Sequence, residues 1–119
     1  MSTTACNGGV FYICATGSTT VRNSIFWGNT AATSGHVAYK ACSGFFNELM
    51  TITDSDVSTS GNNVGNGTLT TGSNIDPAQD PLFINAAEDN YHIQSGSPVI
   101  DQASATYAPA DDIVGDSRP

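Results

Sequence analysis

The carboxylates near the end of the chain are the first residues to weigh for chemistry. Asp111-Asp112-Ile113-Val114-Gly115-Asp116 sets three of them, Asp111, Asp112 and Asp116, around a glycine. Oxygen ligands at that density could hold a hard cation. The spacing lacks the alternating ligands and distal Glu of a calcium loop, so calcium is a weak suggestion and no other cofactor is expected. His36 and His92 lie far apart, and no Ser or Cys sits in a nucleophile elbow or beside a recognisable base. Nucleophilic catalysis therefore has no support, and no catalytic residue is assigned. Cys6, Cys14 and Cys42 are an odd number with no zinc-type spacing, which argues against a disulfide framework and a structural metal. Cys14 and Cys42 read as small buried apolar residues, with a bridge between them left open. Asn66-Gly67-Thr68 is a glycosylation sequon, of little weight without an export signal.

The elements that would position such residues emerge when the chain is compared with itself. "TVRNSIFWGN" (20 to 29) and "TITDSDVSTSGN" (51 to 62) share Thr-[Val/Ile]-x-[Asn/Asp]-Ser-x-[Phe/Val] and close on Gly-Asn. In each copy the apolar residues, Val21 with Phe26 and Ile52 with Val57, lie five apart. A strand alternates with period two, so both can face one core only if the chain bends between them. The residues at the bend are Asn23 and Asp54, side-chain types that tolerate a left-handed backbone and bond locally. Matching Val21 to Ile52 gives an offset of 31 residues, within the range of stacked repeats. "GGVFYICATGS" (8 to 18) and "SGHVAYKACSG" (34 to 44) precede the two copies, placing Val10 near Val37, Tyr12 near Tyr39, and Cys14 near Ala41 or Cys42. Around "ACSGFFNELM", Phe45, Phe46, Leu49 and Met50 suggest one short amphipathic helical turn.

Composition narrows the class. A chain of 119 residues is one domain, 1–119. It divides into an N-terminal segment (1–8), repeat coils (9–62), a polar loop (63–79), and a closing coil with tail (80–119). With 3 Lys+Arg against 11 Asp+Glu the formal net charge is -8, which repels nucleic acid and anionic membranes. Apolar runs are far short of the ~20 residues that cross a bilayer, and "MSTTACNGGVFYICATG" has neither a basic start nor a sustained apolar stretch. The compartment is left unassigned.

The repeat, together with "NIDPAQDPLFINAAEDNYHIQSGSPVIDQA" and "YAPADDIVGDSRP", resembles the last coils of secreted right-handed parallel β-helix proteins of the pectate-lyase-like type, bacterial or environmental proteins that carry an interchangeable surface anchor. The resemblance spans residues 8 to 119. It implies an all-β, short right-handed parallel β-helix, or solenoid, of about four coils with a C-terminal closing segment. Leu82 and Phe83 would close the core, Tyr91 and Ile93 would add a final rung, and Pro98 would limit further pairing. The chain then looks like the terminal part of a longer solenoid, detached from any upstream active site.

A lyase of that type needs acidic residues holding calcium and a base to remove a proton next to a sugar carboxylate. Only Arg22, Lys40 and Arg118 are candidates for the base; Arg22, beside inward Val21, should face solvent. Asp54 and Asp56 are close in sequence, and Asp54 already has the structural role of a corner. The expected function is a non-catalytic module for self-association or partner binding. Carbohydrate binding or polysaccharide cleavage is the alternative, which exposed rings such as Trp27 or Tyr107 beside an acidic groove would favour. Self-association is expected as a dimer through the N-terminal strand Val10, Phe11, Tyr12 and Ile13, which longer relatives would cover with another coil.

Overall fold

The computed structural model describes residues 9–13, 18–40, 49–61, 64–65, 69–111 and 115–117. Cys6, Cys14, Cys42, Phe45, Phe46, the sequon at 66–68, Asp112 and Arg118 lie outside the described residues. Thr, Val and Ile alternate through the two repeat copies, and these β-branched residues suit a pleated, half-buried surface. Both copies are strands, and they lie side by side. With β1 as Phe11–Ile13, β2 as Ser18–Arg22, β3 as Ala38–Lys40 and β4 as Leu49–Thr53, β2 pairs in parallel with β4 so that Val21 is opposite Ile52. β1 pairs in parallel with β3, Tyr12 opposite Tyr39. Each pair gains a third parallel strand, β5 (Val64–Gly65) on β3 and β6 (Thr70–Gly72) on β4. Single parallel bridges Ile25–Asp56 and Asp56–Ile75 continue the alignment beyond the bend.

A continuous four-coil parallel β-helix is not what these strands build. The sheets are three and small: β1-β3-β5 and β2-β4-β6, both parallel, and an antiparallel pair of β7 (Phe83–Asn85) and β8 (Asn90–Ile93). None is closed or wound into a solenoid. One reason is the spacing of paired residues, which is 27 for Phe11 and Ala38, 31 for Val21 and Ile52, 26 for Ala38 and Val64, and 19 for Thr51 and Thr70. No single repeat length runs through the chain, and each parallel ladder ends after three short strands. A second reason lies in the closing segment. Ala86–Glu88 forms a 3-10 turn that ends at Asp89 in the left-handed region (φ 60°), reversing the chain so that β8 pairs with β7 instead of extending a parallel sheet. Tyr91 and Ile93, expected to add a rung to the core, are exposed on this hairpin. Phe83 and Tyr91 pack their rings edge to face, 5.4 Å apart. Leu49 and Met50 are also reassigned from helix to strand: β4 is the middle strand of its sheet, and pairing on both sides outweighs a weak helical pattern.

The core lies between the two parallel sheets. Phe26, Val37, Ala38, Met50, Ile52 and Val57 are buried together, with Phe11, Ile13, Val21 and Leu69 packed against them. Phe11 and Phe26 meet at a ring separation of 6.0 Å. The inward set comes from the odd spacing of Val21 with Phe26 and Ile52 with Val57. A bend between the members of each pair is what lets both reach one interior.

Candidate functional site

That bend sits at Asn23 (φ 52°) and Asp54 (φ 54°), both in the left-handed region. Asn and Asp enter this region more readily than other side chains because their short polar groups bond to nearby backbone. A third such residue, Ser73 (φ 46°), extends the row. Thr70 pairs with Thr51, so Ser73 stands in the place of Asp54. The next residue of each strand ties the row together. The Ser24 N–H donates to the Ser55 hydroxyl (3.2 Å), and the Ser55 N–H donates to Asn74 Oδ1 (3.0 Å). The Ser55 hydroxyl and Asn74 Nδ2 donate in turn to the carbonyls of Thr53 and Ile52, both at 2.8 Å. Sequence comparison did not find Ser73 and Asn74. The signal was present in Thr-Gly-Ser-Asn-Ile (71 to 75), which begins within β6, but the spacing of 19 rather than 31 residues put it out of step with the other copies.

The closing segment runs back along this row to its first member. Asn23 Nδ2 donates to the Ser104 carbonyl (3.0 Å), and the Ser104 N–H donates to Asn23 Oδ1 (2.9 Å). Both ends of one amide are satisfied by a residue 81 positions later. Beside this clasp the Arg22 guanidinium lies 4.3 Å from the Tyr107 ring centre, a cation–π contact. The segment is anchored again where the Ser97 hydroxyl, itself buried, donates to the Pro81 carbonyl at 2.7 Å.

Between the row and this closing segment, the strap, lies a half-open pocket of about 140 Å³. Ile25, Ile75, Ile93 and Val99 supply apolar wall; Asn23, Asp54, Asp56 and Gln102 supply polar groups. Asp56 is the unusual member, at 3% exposure. The Gln79 N–H donates to its Oδ1 at 2.8 Å, whereas its Oδ2 is buried with no hydrogen-bond partner. Burial pushes the Asp56 pKa up, with the Gln79 N–H pulling the other way. In the parallel register Asp56 is flanked by Ile25 and Ile75, which puts its side chain on the same side of the ladder as two aliphatic ones. The sequence pattern had marked Asp56 only as a neighbour of Asp54.

The other sites expected from the sequence fall in separate places. Val10 and Tyr12 are exposed, Tyr12 at 64%, while Phe11 and Ile13 turn inward against the core. Tyr12 stacks on Tyr39 with ring centres 5.9 Å apart and planes 15° from parallel. Asp111 and Asp116 are exposed near the end of the chain, where Asp111 bridges antiparallel to Ser117. Among the described residues no group of three or more His, Cys, Asp or Glu is placed to hold a metal. Trp27 is exposed, and Arg22 lies over one face of the Tyr107 ring. Among the described residues no helix is long and apolar enough to cross a membrane. Compared with known proteins, the chain matches no family model, no curated protein and no solved structure, so its function is argued from the geometry of these surfaces.

Proposed function

We propose that the chain is a non-catalytic module that associates with a second copy of itself through the outer edges of β1 and β2. The observation that carries this reading is the position of those strands. Each is the first strand of its parallel sheet, and among the described residues no strand pairs with its outer side. An edge row of backbone N–H and C=O groups is a template for pairing. Exposed Val10 and Tyr12 stand beside it. Ser24 adds to the same edge: its hydroxyl donates to the Arg22 carbonyl (2.9 Å) as that of Ser55 does to Thr53. The Ser55 hydroxyl also accepts the N–H of the neighbouring strand; that of Ser24 offers the same acceptor outward. A two-fold axis between two copies would pair such edges in the antiparallel sense and close without growing into fibres.

Sedimentation equilibrium over a range of concentrations tests the proposal. A dimer is expected for the natural sequence and a monomer for the Val10→Glu, Tyr12→Glu double variant, with unchanged circular dichroism. A natural chain that stays monomeric at every concentration refutes it. Exposed Tyr12, stacked on half-buried Tyr39, supports one other reading, carbohydrate binding, because sugar rings stack on flat aromatic faces. Saturable binding to a glycan, lost in Tyr12→Ala and accompanied by a monomeric natural chain, would favour that reading instead.

A further inference from the structure

We infer that His36 is a pH-sensitive latch: its neutral imidazole closes the turn on which β1 is seated, and protonation opens that turn and loosens β1. The geometry starts from one hydrogen bond. The Ala31 N–H donates to His36 Nδ1 at 2.8 Å, so this nitrogen carries no hydrogen and the ring is neutral when the bond is made. Imidazolium carries a hydrogen on both nitrogens. Protonation therefore sets donor against donor, and the half-buried Ala31 N–H loses its acceptor.

What this bond holds is the seat of the first strand. The peptide group whose N–H meets His36 has its oxygen, that of Thr30, 3.0 Å from where a Cβ on Gly9 would stand, and the same Cβ would collide with the His36 carbonyl. Gly9 thus lies against both ends of the turn that the latch closes. Its N–H donates to the Gly35 carbonyl (2.8 Å), and the Phe11 N–H donates to that of Val37 (2.9 Å). Gly35 is buried at φ 77°, with a Cβ there coming within 2.7 Å of the Ala38 carbonyl. The turn is too tightly packed to give way without moving the carbonyls that receive β1. The segments packed on it, residues 9–13 and 26–30 with β3 and β5, contain Tyr12, Tyr39 and Lys40 as their only titratable residues. None of these segments brings an acid to stabilise an imidazolium. The loosening of β1 does not depend on self-association, but a further consequence rests on that reading. β1 is an edge strand, and the symmetric contact sets two acid-free parts together, each of which gains a positive charge. Histidine changes charge between about pH 8 and 5, so association should weaken over that range.

Amide hydrogen exchange by NMR, with sedimentation on the same samples at about pH 7.5 and 5.5, tests the latch. His36→Asn is the reference, because its Oδ1 can take the place of Nδ1 as acceptor and does not titrate. Equal protection at Gly9, Ala31 and Phe11 is expected in the two proteins at the higher pH, and about fivefold or more less in the natural protein at the lower. The dimer should weaken in step, and His92→Asn, changed on the exposed face of β8, should keep the full pH dependence. Asp56 acts in the opposite sense, adding stability on acidification, and cannot produce this loss. If His36→Asn fails to fold, the natural protein still answers: the Ala31 amide shift must follow the titration of the His36 ring, and a separate midpoint overturns the latch. The same pH dependence in the natural protein and His36→Asn also overturns it. Loss of protection in a chain that is monomeric at both pH values supports the latch and refutes self-association instead. Loss of protection in a dimer of unchanged strength overturns the link between the two.

Discussion

Asn23 joins two demands that are usually met by different residues: a left-handed backbone and a two-way amide contact with Ser104. Asn23→Asp separates them. The left-handed corner is retained, as Asp54 demonstrates at φ 54°, and one oxygen still accepts the Ser104 N–H, but the donor to the Ser104 carbonyl becomes a second acceptor. A loss of about 1–3 kcal/mol in the closing of the strap is expected, read as faster amide exchange at Ser104 and Tyr107 with little change at Ile52. Asp56 carries a pH signature whose sign follows from burial. Its folded pKa is raised above the unfolded value. The stability it contributes is therefore fully present below the unfolded carboxylate pKa and is lost as the pH rises through the raised folded value. Urea denaturation of the natural protein and Asp56→Asn at several pH values should show the difference moving in favour of the natural protein as the medium is acidified. A difference that is flat with pH would mean that Asp56 titrates as it does in the unfolded chain, and one that moves the opposite way would mean that its folded pKa lies below the unfolded value.

At the scale of elements, β4 has the greatest leverage, because it is the middle strand of its sheet and carries Met50 and Ile52 into the core. Ile52→Ala removes a fully buried side chain and should cost about 2–5 kcal/mol by thermal or urea unfolding. The same change at Ile84, exposed on the hairpin, should stay within about 0.5 kcal/mol. Similar losses at the two positions would place the hairpin in the core and contradict the sheet assignment. The aromatic column on the other sheet depends on a glycine. Tyr12, Tyr39 and Gly65 are in register, and a Cβ at Gly65 would come within 2.3 Å of the Tyr39 ring. Gly65→Ala must displace that ring and should disturb the Tyr12 and Tyr39 stacking, visible in near-ultraviolet circular dichroism.

Over the whole molecule, charge is divided unevenly along the sequence. Residues 1–47 contain Arg22 and Lys40 and no acid, a formal +2; residues 48–119 contain all 11 acids and only Arg118 as a base, a formal -10; together these make -8. Association through β1 and β2 joins the two acid-free parts and holds the acidic remainders apart. Added salt screens repulsion between the acidic parts. The proposed dimer should thus hold or tighten as ionic strength rises from about 10 mM to 0.15 M, measured by sedimentation. An assembly that loosens over this range would be held by attraction between opposite charges, a head-to-tail arrangement of +2 part against acidic part, and not by the symmetric contact proposed here.

The sequence by itself determined the local pairing. Two copies of one pattern, with apolar residues five apart, required a bend, and Asn and Asp were the side chains suited to it; Val21 stands opposite Ile52, and Asn23 and Asp54 have left-handed backbones. Such features are short in range and depend on pleat geometry and steric limits on φ, which residue type and spacing express directly. The tertiary structure alone decided how far the pairing extends. The resemblance to a parallel β-helix led to one winding of about four coils, but unequal spacings and the reversal after Glu88 leave three small sheets. Whether a strand with edge residues such as Tyr91 and Ile93 joins a neighbour or folds back on itself is a competition between nearly equal ladders, settled by turn geometry and not by apolar content. The cavity was equally illegible. Its walls come from residues near 25, 56, 75, 93 and 99, and the contact that holds the closing segment beside it, Asn23 with Ser104, spans 81 positions. Asp56 looked like one more polar residue beside a corner. Its burial, with the Gln79 N–H on Oδ1 and bridges to Ile25 and Ile75 on either side, joins segments distant in sequence, and no spacing within the repeat encodes that.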